Sequence, residues 1–359
     1  MHLGDFIIQN LRCIGYSSVS LHKNINLIVG ENGSGKTSFL EGIHLLASGK
    51  TFRPTRRHDL IKDGTVSMAV AGVFETAAKL DLKVRLEKSL SETKYFFRGN
   101  PVNKTSEISL KFPVLVGNSR AADLLTDSPK ARRDLIDRAV FHVKPSFLNL
   151  WKDLRKALAQ RNILLRSKRF NRQLSYWDQV VEARSQDIDA CRRDVVNSLN
   201  CSLADSILRE ELGIVSVDYY SGWDLSLPLM EHLTSNRESE SRIGYTLYGA
   251  HRADLHIKAA ERRGAKRLSK GQLKVIAFEA IVALHEYISK NGSVQPILLA
   301  DDISAELDIQ KRKSLIDKIL RLGGQKVLSS IHSDMSELVD RGGSKVFHVE
   351  QGTINYLKG

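Results

Sequence analysis

Residues 30–37 read GENGSGKT, a spacing of glycines around one lysine and one threonine that is typical of phosphate-binding loops. Glycine lets the backbone approach an anion closely, and the N–H groups of such a loop then point at the anion. The Lys36 ammonium can reach the β- and γ-phosphates of a nucleotide, and the Thr37 hydroxyl can bind Mg²⁺. The residues predicted to surround the phosphates are Gly30, Glu31, Asn32, Gly33, Ser34, Gly35, Lys36, Thr37 and Ser38.

Two aspartates end the apolar segment ILLADD at residues 297–302. A strand of this kind would lie beside the phosphate-binding loop, where Asp301 would hold Mg²⁺ together with Thr37. Asp302 would face the other side and orient or deprotonate the attacking water. The structural alternative is a strand that ends in an acidic turn, and the phosphate-binding loop earlier in the chain favours the catalytic interpretation.

The segment LSKGQ at residues 268–272 resembles L-S-G-G-Q, the signature of the ABC-type ATPases. A serine hydroxyl and glycine N–H groups at a helix N-terminus form an anion-binding site. In that family the signature binds the γ-phosphate held by the opposite subunit. The resemblance gives this role to Ser269, Lys270, Gly271 and Gln272.

Two further segments resemble parts of the same ATPase family. SAELD at residues 304–308 resembles the D-loop, which assigns Ser304 and Asp308 to that loop. His332 follows the strand-like segment KVLSSI, where the switch histidine of the family would lie, and it is a candidate catalytic residue. A purely structural histidine is the alternative at this position.

The elements that must position these residues alternate between strand and helix patterns. MAVAGVF at 68–74 and KLDLKVRLE at 79–87 alternate apolar and polar residues as strands do. From residue 147 to 165 the apolar residues recur at helical spacing, and a helical pattern continues through 177–212. A mostly helical block therefore interrupts the strand-rich segments.

The predicted fold class is α/β: a P-loop ABC-type ATPase lobe with a mixed sheet, and an inserted, mostly helical second lobe. The predicted boundaries give the nucleotide-binding lobe residues 1–120 and 241–359, and the inserted lobe residues 121–240. The inserted lobe is the one expected to face DNA or a protein partner.

The charge of the chain indicates a polyanionic partner. Lys and Arg number 54 against 41 Asp and Glu, which gives a net charge of +13. Thirteen basic residues lie between Lys130 and Arg172 against three acids, so this segment alone carries +10. Solvated helix faces usually mix charges of both signs, and the excess favours phosphate binding. The predicted DNA contacts are Arg166, Lys168 and Arg169.

Several other classes of protein are disfavoured. No apolar run approaches the roughly 18 residues of a membrane helix, and residues 1–13 lack the pattern of a secretory signal. Cys13, Cys191 and Cys201 have no zinc-binding spacing, and we expect them to be reduced thiols. We therefore expect a cytoplasmic, nucleoid-associated protein without a membrane partner.

Four blocks of the sequence resemble the RecF family of bacterial recombination-mediator ATPases. They occur in the order of that family and span nearly the whole chain, at residues 7–53, 124–142, 249–255 and 268–281. The segments GKTFR and HRADL within these blocks are more specific than the phosphate-binding loop. Arg12 matches an early arginine that lies beside the nucleotide in related ATPase heads.

The resemblance implies a function in recombinational DNA repair and replication restart. ATP and Mg²⁺ would drive a head-to-tail homodimer on single- and double-stranded DNA of any sequence, at gaps and junctions. The family acts with RecO and RecR to load the recombinase, and it supports the SOS response. Its ATPase activity would be weak and stimulated by DNA.

Two positions depart from the family pattern. Leu115 stands where the family usually has a glutamine that links Mg²⁺ to the second lobe, and Asn118 is a candidate substitute for it. Ala250 replaces an expected proline. Two alternatives to the RecF interpretation are a transporter-type ATPase subunit and a structural mediator in which ATP binds but hydrolysis is irrelevant.

Overall fold

The computed structural model describes most of the chain as two compact units. The described residues are 1–53, 55–76, 78, 80–118, 121–168, 172–259, 262–263, 268–303, 307–331 and 343–358. The first unit combines residues 1–121 with 288–359, and the second comprises residues 122–287. The second unit continues to residue 287, whereas the sequence predicted its end at residue 240.

Strands and helices alternate along the chain. The strands are β1 (His2–Leu11), β2 (Ile14–Ser20), β3 (Ile25–Val29), β4 (Ser67–Glu75), β5 (Asp81–Ser89), β6 (Thr93–Phe97), β7 (Asn100–Pro101), β8 (Val114–Gly117), β9 (Val215–Tyr220), β10 (Asp254–Ala259), β11 (Arg262–Arg263), β12 (Ile297–Ala300), β13 (Lys326–Ser330), β14 (Ser344–Glu350) and β15 (Thr353–Lys358). The helices are α1 (Lys36–Ser48), α2 (Thr105–Lys111), α3 (Ala121–Thr126), α4 (Pro129–Val143), α5 (Phe147–Arg166), α6 (Arg172–Leu203), α7 (Arg209–Leu212), α8 (Leu229–Ser235), α9 (Arg237–Ile243), α10 (Lys270–Asn291) and α11 (Ile309–Arg321).

Two six-stranded sheets build the first unit. One is antiparallel, with the order β2-β1-β4-β5-β6-β7, and the other is mixed, with the order β15-β14-β3-β13-β12-β8. In the mixed sheet β14, β3, β13, β12 and β8 run parallel, and β15 pairs antiparallel with β14. Every residue of β3, β12 and β13 is buried, as expected for parallel strands covered on both faces.

Helix α1 follows β3 and packs into a core shared by both sheets. The ring of Phe39 meets that of Phe6 edge to face, with the ring centres 5.4 Å apart. A Cβ at Gly42 would lie 3.0 Å from the Phe6 ring, so glycine allows α1 to approach β1 closely. Helix α1 ends at Ser48 and is capped by Gly49, whose left-handed conformation, with φ of 69°, is favourable for glycine. The residues at the start of α1 are thereby held against the edge where β3 and β12 end.

The second unit is mostly helical, with the small antiparallel sheet β11-β10-β9. Arg161 on α5 is fully buried, donates to Asp178 on α6 and forms an ion pair with Glu240 on α9. The carboxylate of Glu279 on α10 accepts hydrogen bonds from Ser206 and from the Ile207 backbone. These contacts tie the first half of α10 to the helical unit, which explains why this unit extends beyond the predicted boundary.

Candidate nucleotide-binding site

The loop between β3 and α1 is shaped for an anion. Gly33 and Gly35 have φ values of 80° and 122°, which side chains rarely allow. A Cβ at Gly33 would meet no atom within 4 Å, so the backbone there is open to an approaching group. The N-terminus of α1 adds N–H groups and the positive end of the helix dipole. The predicted phosphate-binding loop is therefore a strand–loop–helix turn whose backbone is open to an anion at Gly33.

Lys36 lies against this loop rather than in solvent. Its Nζ donates to the carbonyl oxygens of Gly30 and Glu31, at 2.8 and 2.7 Å. Burial lowers the pKa of Lys36, and the charges of Asp302 and Asp301 oppose that effect. The ammonium is thus held between the loop and the two aspartates, where it would meet phosphate oxygens.

Thr37 and Asp301 meet at the junction of α1 and β12. The Thr37 hydroxyl donates to Asp301 Oδ1 at 3.1 Å, and the Ser329 hydroxyl donates to the same oxygen at 2.7 Å. Burial raises the pKa of Asp301, which is 4% exposed, although both hydrogen bonds favour its charged form. A hydroxyl and a carboxylate side by side are hard oxygen donors that fit Mg²⁺, which uses few protein ligands.

Asp302 follows with an unusual backbone. Its φ is 53°, in the left-handed region, and its N–H donates to the Ser329 hydroxyl at 2.9 Å. This turn separates the two neighbouring carboxylates, so that Asp301 is buried while Asp302 is half-buried. A strained backbone at such a position is common in functional sites.

A buried carboxylate on α1 organises two arginines. Glu41, whose side chain is fully buried, accepts from Arg12 Nε at 2.5 Å and from an Arg53 guanidinium nitrogen at 2.6 Å. Thr51 also donates to it. Burial would raise the pKa of Glu41, yet the hydrogen bonds from Arg12, Arg53 and Thr51 hold it below its ordinary value. Arg12 is therefore fixed against the helix that follows the phosphate-binding loop.

The signature segment is closed by two reciprocal hydrogen bonds. The Ser269 N–H donates to Gln272 Oε1 at 2.8 Å, and the Gln272 N–H donates to Ser269 Oγ at 3.2 Å. This is a capping box at the start of α10. The Gln272 amide also donates to Glu211 on α7. Because Ser269 Oγ accepts in the cap, its own O–H can donate to an external phosphate.

The family described as RecF/RecN/SMC N terminal domain matches residues 2–355 of this chain. The DNA replication and repair protein RecF of Vibrio campbellii is 35% identical over 358 residues, which cover 99% of this chain and 100% of that protein. This chain belongs to the RecF family. The RecF protein of Aliivibrio fischeri strain ES114 is 32% identical over 99% of both proteins.

Solved structures give the same fold for the RecF-family chain. A structure of the recombination mediator protein RecF with ATP, in the RecFOR pathway, superposes with a TM-score of 0.84 at 22% identity and covers 99% of this chain and 97% of that one. The SMC head bound to the C-winged helix domain of ScpA superposes with a TM-score of 0.60 at 14% identity, over 100% of this chain and 98% of that one. The predicted fold class is confirmed.

Several predicted residues of this RecF-family chain lie outside the described ranges: Ser304, His332 and Arg169. Asp308, assigned to the D-loop, is described and caps α11, where its carboxylate accepts from the Lys311 N–H at 2.8 Å. Its assigned role in the D-loop stays a prediction.

The basic segment from Lys130 to Arg172 offers less free charge than its composition suggested. Arg161 is fully buried in the ion pairs described above. Arg132 pairs with Asp254 at 2.7 Å, and Lys144 with Asp194 at 2.8 Å. The exposed cations of the described segment are Lys130, Arg138, Lys152, Arg155, Lys156, Arg166, Lys168 and Arg172. The two predicted DNA contacts that the structure describes, Arg166 and Lys168, are among them.

Glu41, Arg53 and Ser329 were missed as residues of the site. The segment GKTFR resembles a family motif. No local sequence pattern predicts that its Arg53 pairs with Glu41, twelve residues earlier in the chain. Ser329 lies in a buried strand and touches Asp301 only because β13 pairs with β12. A strand serine next to a buried apolar run was the only available signal.

Leu115 is a core residue of β8 and is 2% exposed, so it presents no polar group to the site. Asn118 directly follows β8, whose last residue, Gly117, accepts a hydrogen bond from the Asp301 N–H at 2.7 Å. The candidate substitute therefore follows the strand end that is bonded to Asp301.

None of the helices in the described part of the chain is long and apolar enough to cross a membrane. No group of three or more His, Cys, Asp or Glu residues among those described could hold a metal ion by itself. Mg²⁺ usually keeps several waters and is held by one or two carboxylates together with substrate phosphates.

Proposed function

We propose that this chain is an ATP-dependent DNA-binding protein of recombinational repair, in which ATP acts mainly as a dimerisation switch. The observation that carries the proposal is the contact between Thr37 and Asp301 at the end of the phosphate-binding loop. This contact joins the two sequence motifs that a nucleotide switch needs, with Lys36 beside them.

Each residue of the site has a separate task. The loop N–H groups and the Lys36 ammonium bind the phosphates, and Thr37 with Asp301 would hold Mg²⁺. When bound, Mg²⁺ would neutralise phosphate charge. Asp302, whose backbone turns it away from Asp301, would orient or deprotonate the attacking water. Arg12, fixed by Glu41, would lie beside the nucleotide.

The signature would act on the nucleotide of a second copy. Ser269 keeps its O–H for a phosphate because its oxygen accepts the capping bond from Gln272. The N-terminus of α10 adds favourable potential for the γ-phosphate. Two such contacts, one from each copy, would close a head-to-tail dimer around two ATP molecules.

DNA would bind the exposed cations of α4, α5 and the turn that follows α5. Lys152, Arg155 and Lys156 are exposed at a spacing that puts them on one face of α5, and Arg166 and Lys168 continue the row. Contacts of this type bind phosphates without reading base sequence. The proposed DNA targets are gaps and junctions of single and double strands.

The proposed partners follow from relatives. The solved RecF structure is assigned to the RecFOR pathway, so RecO and RecR are the partners proposed for this chain. With them it would help to load the recombinase, and it would support the SOS response. Its ATPase activity would be weak and stimulated by DNA.

A second candidate is a mediator for which ATP binding suffices and hydrolysis is irrelevant. The buried Leu115 favours it, because a leucine cannot replace the polar link between Mg²⁺ and the second lobe. A hydrolysis-deficient variant that retains full repair activity would support this candidate.

Light scattering with and without ATP, Mg²⁺ and DNA tests the main proposal. Wild-type protein should be monomeric alone and dimeric with ATP. Lys36→Met should abolish the dimer, because it removes the cation that faces the β- and γ-phosphates. Ser269→Arg should still bind ATP as a monomer and yet dimerise poorly. If Lys36→Met dimerises with ATP as wild type does, the proposal that ATP drives dimerisation is wrong.

A further inference from the structure

A cavity of about 360 Å³ borders the phosphate-binding loop on the side of the β14–β15 hairpin. Two carboxylates line it, Glu31 from the loop and Glu350 from the end of β14, and both residues are exposed. Neither forms an ion pair with another described residue. Ser34, more than nine-tenths buried, lines the same cavity, and its Oγ has no hydrogen-bond partner among the described atoms.

The β14–β15 hairpin forms one side of this cavity and is bonded to the phosphate-binding loop. Gln351 and Gly352 form its two-residue turn with φ values of 48° and 79°. The Gly352 N–H donates to the Ser34 carbonyl at 2.8 Å, which ties the turn to the phosphate-binding loop. A Cβ at Gly30 would collide with the Val349 carbonyl, so the loop and β14 are packed backbone to backbone. Glu350 therefore lies at the end of a strand that packs against the phosphate-binding loop.

Lys270, the first residue of α10, is an unusual residue for this position. Lys270 replaces the first glycine of the L-S-G-G-Q pattern and is exposed. The first turn of this 22-residue helix contains no acidic residue, and a lysine there opposes the helix dipole. Lys270 makes no ion pair with any residue in the described ranges. Its charge thus has no stabilising role within the chain as described.

We propose that Lys270 of one copy binds the acidic cavity formed by Glu31 and Glu350 of a second copy. The inference rests on the proposed trans signature, and it adds the specific ion pair that aligns the two copies. The occupant of the cavity is the LSKGQ segment of the partner, whose ammonium matches two unpaired carboxylates. The unsatisfied Ser34 hydroxyl offers a further contact to the incoming segment.

The charge arrangement would couple this contact to ATP. Two carboxylates beside a phosphate-binding loop raise the local negative potential, and a bound triphosphate adds to it. A lysine from the partner offsets both. Each copy supplies one cation and one acidic cavity, so a twofold head-to-tail dimer contains the contact twice. Any change in one contact therefore acts twice on the dimer.

Charge reversal with mixing tests the ion pair in trans. Lys270→Glu and Glu350→Lys should each weaken the dimer formed with ATP and Mg²⁺ by about tenfold, because each puts like charges together at both contacts. An equimolar mixture of the two variants should dimerise much more strongly than either variant alone. In the mixed dimer one contact is the native pair and the other is the reversed pair, so both are attractive. Sedimentation equilibrium with fluorescent label on one variant measures this.

Two controls make the outcome specific. The double variant Lys270→Glu/Glu350→Lys should recover much of the dimer affinity that each single variant loses, because both its contacts are reversed pairs. The double variant Lys313→Glu/Glu350→Lys has the same net charge, with the exposed Lys313 of α11 changed instead, and should stay weak.

The outcomes separate this inference from the proposed function. If wild type dimerises with ATP but neither mixing nor the Lys270→Glu/Glu350→Lys double variant restores the dimer, the ion pair is wrong and the switch stands. That result is expected if Lys270 contacts only the γ-phosphate. If the double variant recovers but the mixture does not, the pair lies within one chain, and the inference in trans is overturned. If wild type does not dimerise with ATP at all, the proposed function itself fails.

Discussion

The hydroxyl of Thr37 lies 3.1 Å from Asp301 Oδ1, although the two residues are 264 positions apart in the chain. The contact brings together the end of the phosphate-binding loop and the end of β12. Asp301→Asn should therefore weaken Mg²⁺ binding, since an amide is a poorer ligand for Mg²⁺ than a carboxylate. The Mg²⁺ concentration that supports ATP binding should rise by about tenfold or more. Titration of ATP binding at several Mg²⁺ concentrations measures this. An unchanged Mg²⁺ dependence would contradict the assignment of Asp301 as the metal ligand.

Asp302→Asn should give a different result from Asp301→Asn. The amide keeps the shape of the side chain but cannot accept a proton, so hydrolysis should fall by about 10²-fold or more. ATP and Mg²⁺ should still bind, and the ATP-bound dimer should persist. Phosphate release under single-turnover conditions, with light scattering in parallel, tests both statements. Turnover at the wild-type rate would remove Asp302 from the catalytic role.

Glu41→Gln should destabilise the first unit and loosen Arg12. The amide has one oxygen acceptor and no charge, so it leaves the two arginines incompletely paired beside α1. We expect a loss of about 2 kcal/mol in the free energy of unfolding, below the cost of breaking a fully buried pair because both arginines are partly exposed. Urea unfolding measures it. Glu92→Gln, which removes an exposed carboxylate paired with Lys94 at 3.2 Å, is the control and should change the free energy by less than about 1 kcal/mol.

The local part of the site could be predicted from the sequence, because a phosphate-binding loop needs particular residues at fixed spacing. Gly33, Lys36 and Thr37 are such residues, and Asp301 was recognised because it ends a buried strand. The pairing of Glu41 with Arg53 depends on how a loop folds back onto α1. No spacing rule encodes that return, so the sequence did not reveal it.

Charge counting was less reliable than motif spacing. Arg161 counted toward a phosphate-binding surface, yet it is buried against Asp178 and Glu240, which lie 17 and 79 residues further along the chain. A count of charged residues takes no account of burial. A guanidinium that is buried in an ion pair cannot bind a phosphate of an external ligand. The second unit also extends beyond the predicted residue 240 because of a contact between distant residues. Glu279 on α10 accepts hydrogen bonds from Ser206 and Ile207.

The second unit should lose stability in mild acid through His251. Burial lowers the pKa of His251 to about 4, whereas in the unfolded chain it is near 6.5. The unfolded state therefore binds more protons between these values, and the stability contributed by neutral His251 is lost as pH falls from about 6.5 to about 4. Between pH 7 and pH 5 we expect a loss of about 2 kcal/mol in the free energy of unfolding from this residue. Urea unfolding at both pH values, compared with His251→Gln, measures it, and an equal pH dependence in the two proteins would contradict the assignment.

The basic residues at the C-terminal end of α5 and directly after it should determine the salt dependence of DNA binding. If Arg166, Lys168 and Arg169 neutralise phosphates, binding releases counterions, and log affinity falls with log salt by about 0.9 per phosphate on a duplex. Replacing all three with Gln should reduce that slope by up to about 3 and weaken all sequences alike. Monomer binding of ATP serves as the control and should not change, because none of the three belongs to the phosphate-binding loop. A wild-type salt slope in the triple variant would mean that these residues are a solvated helix end. The next candidates for the DNA-binding surface would then be Arg262, Arg263, Lys266 and Arg267.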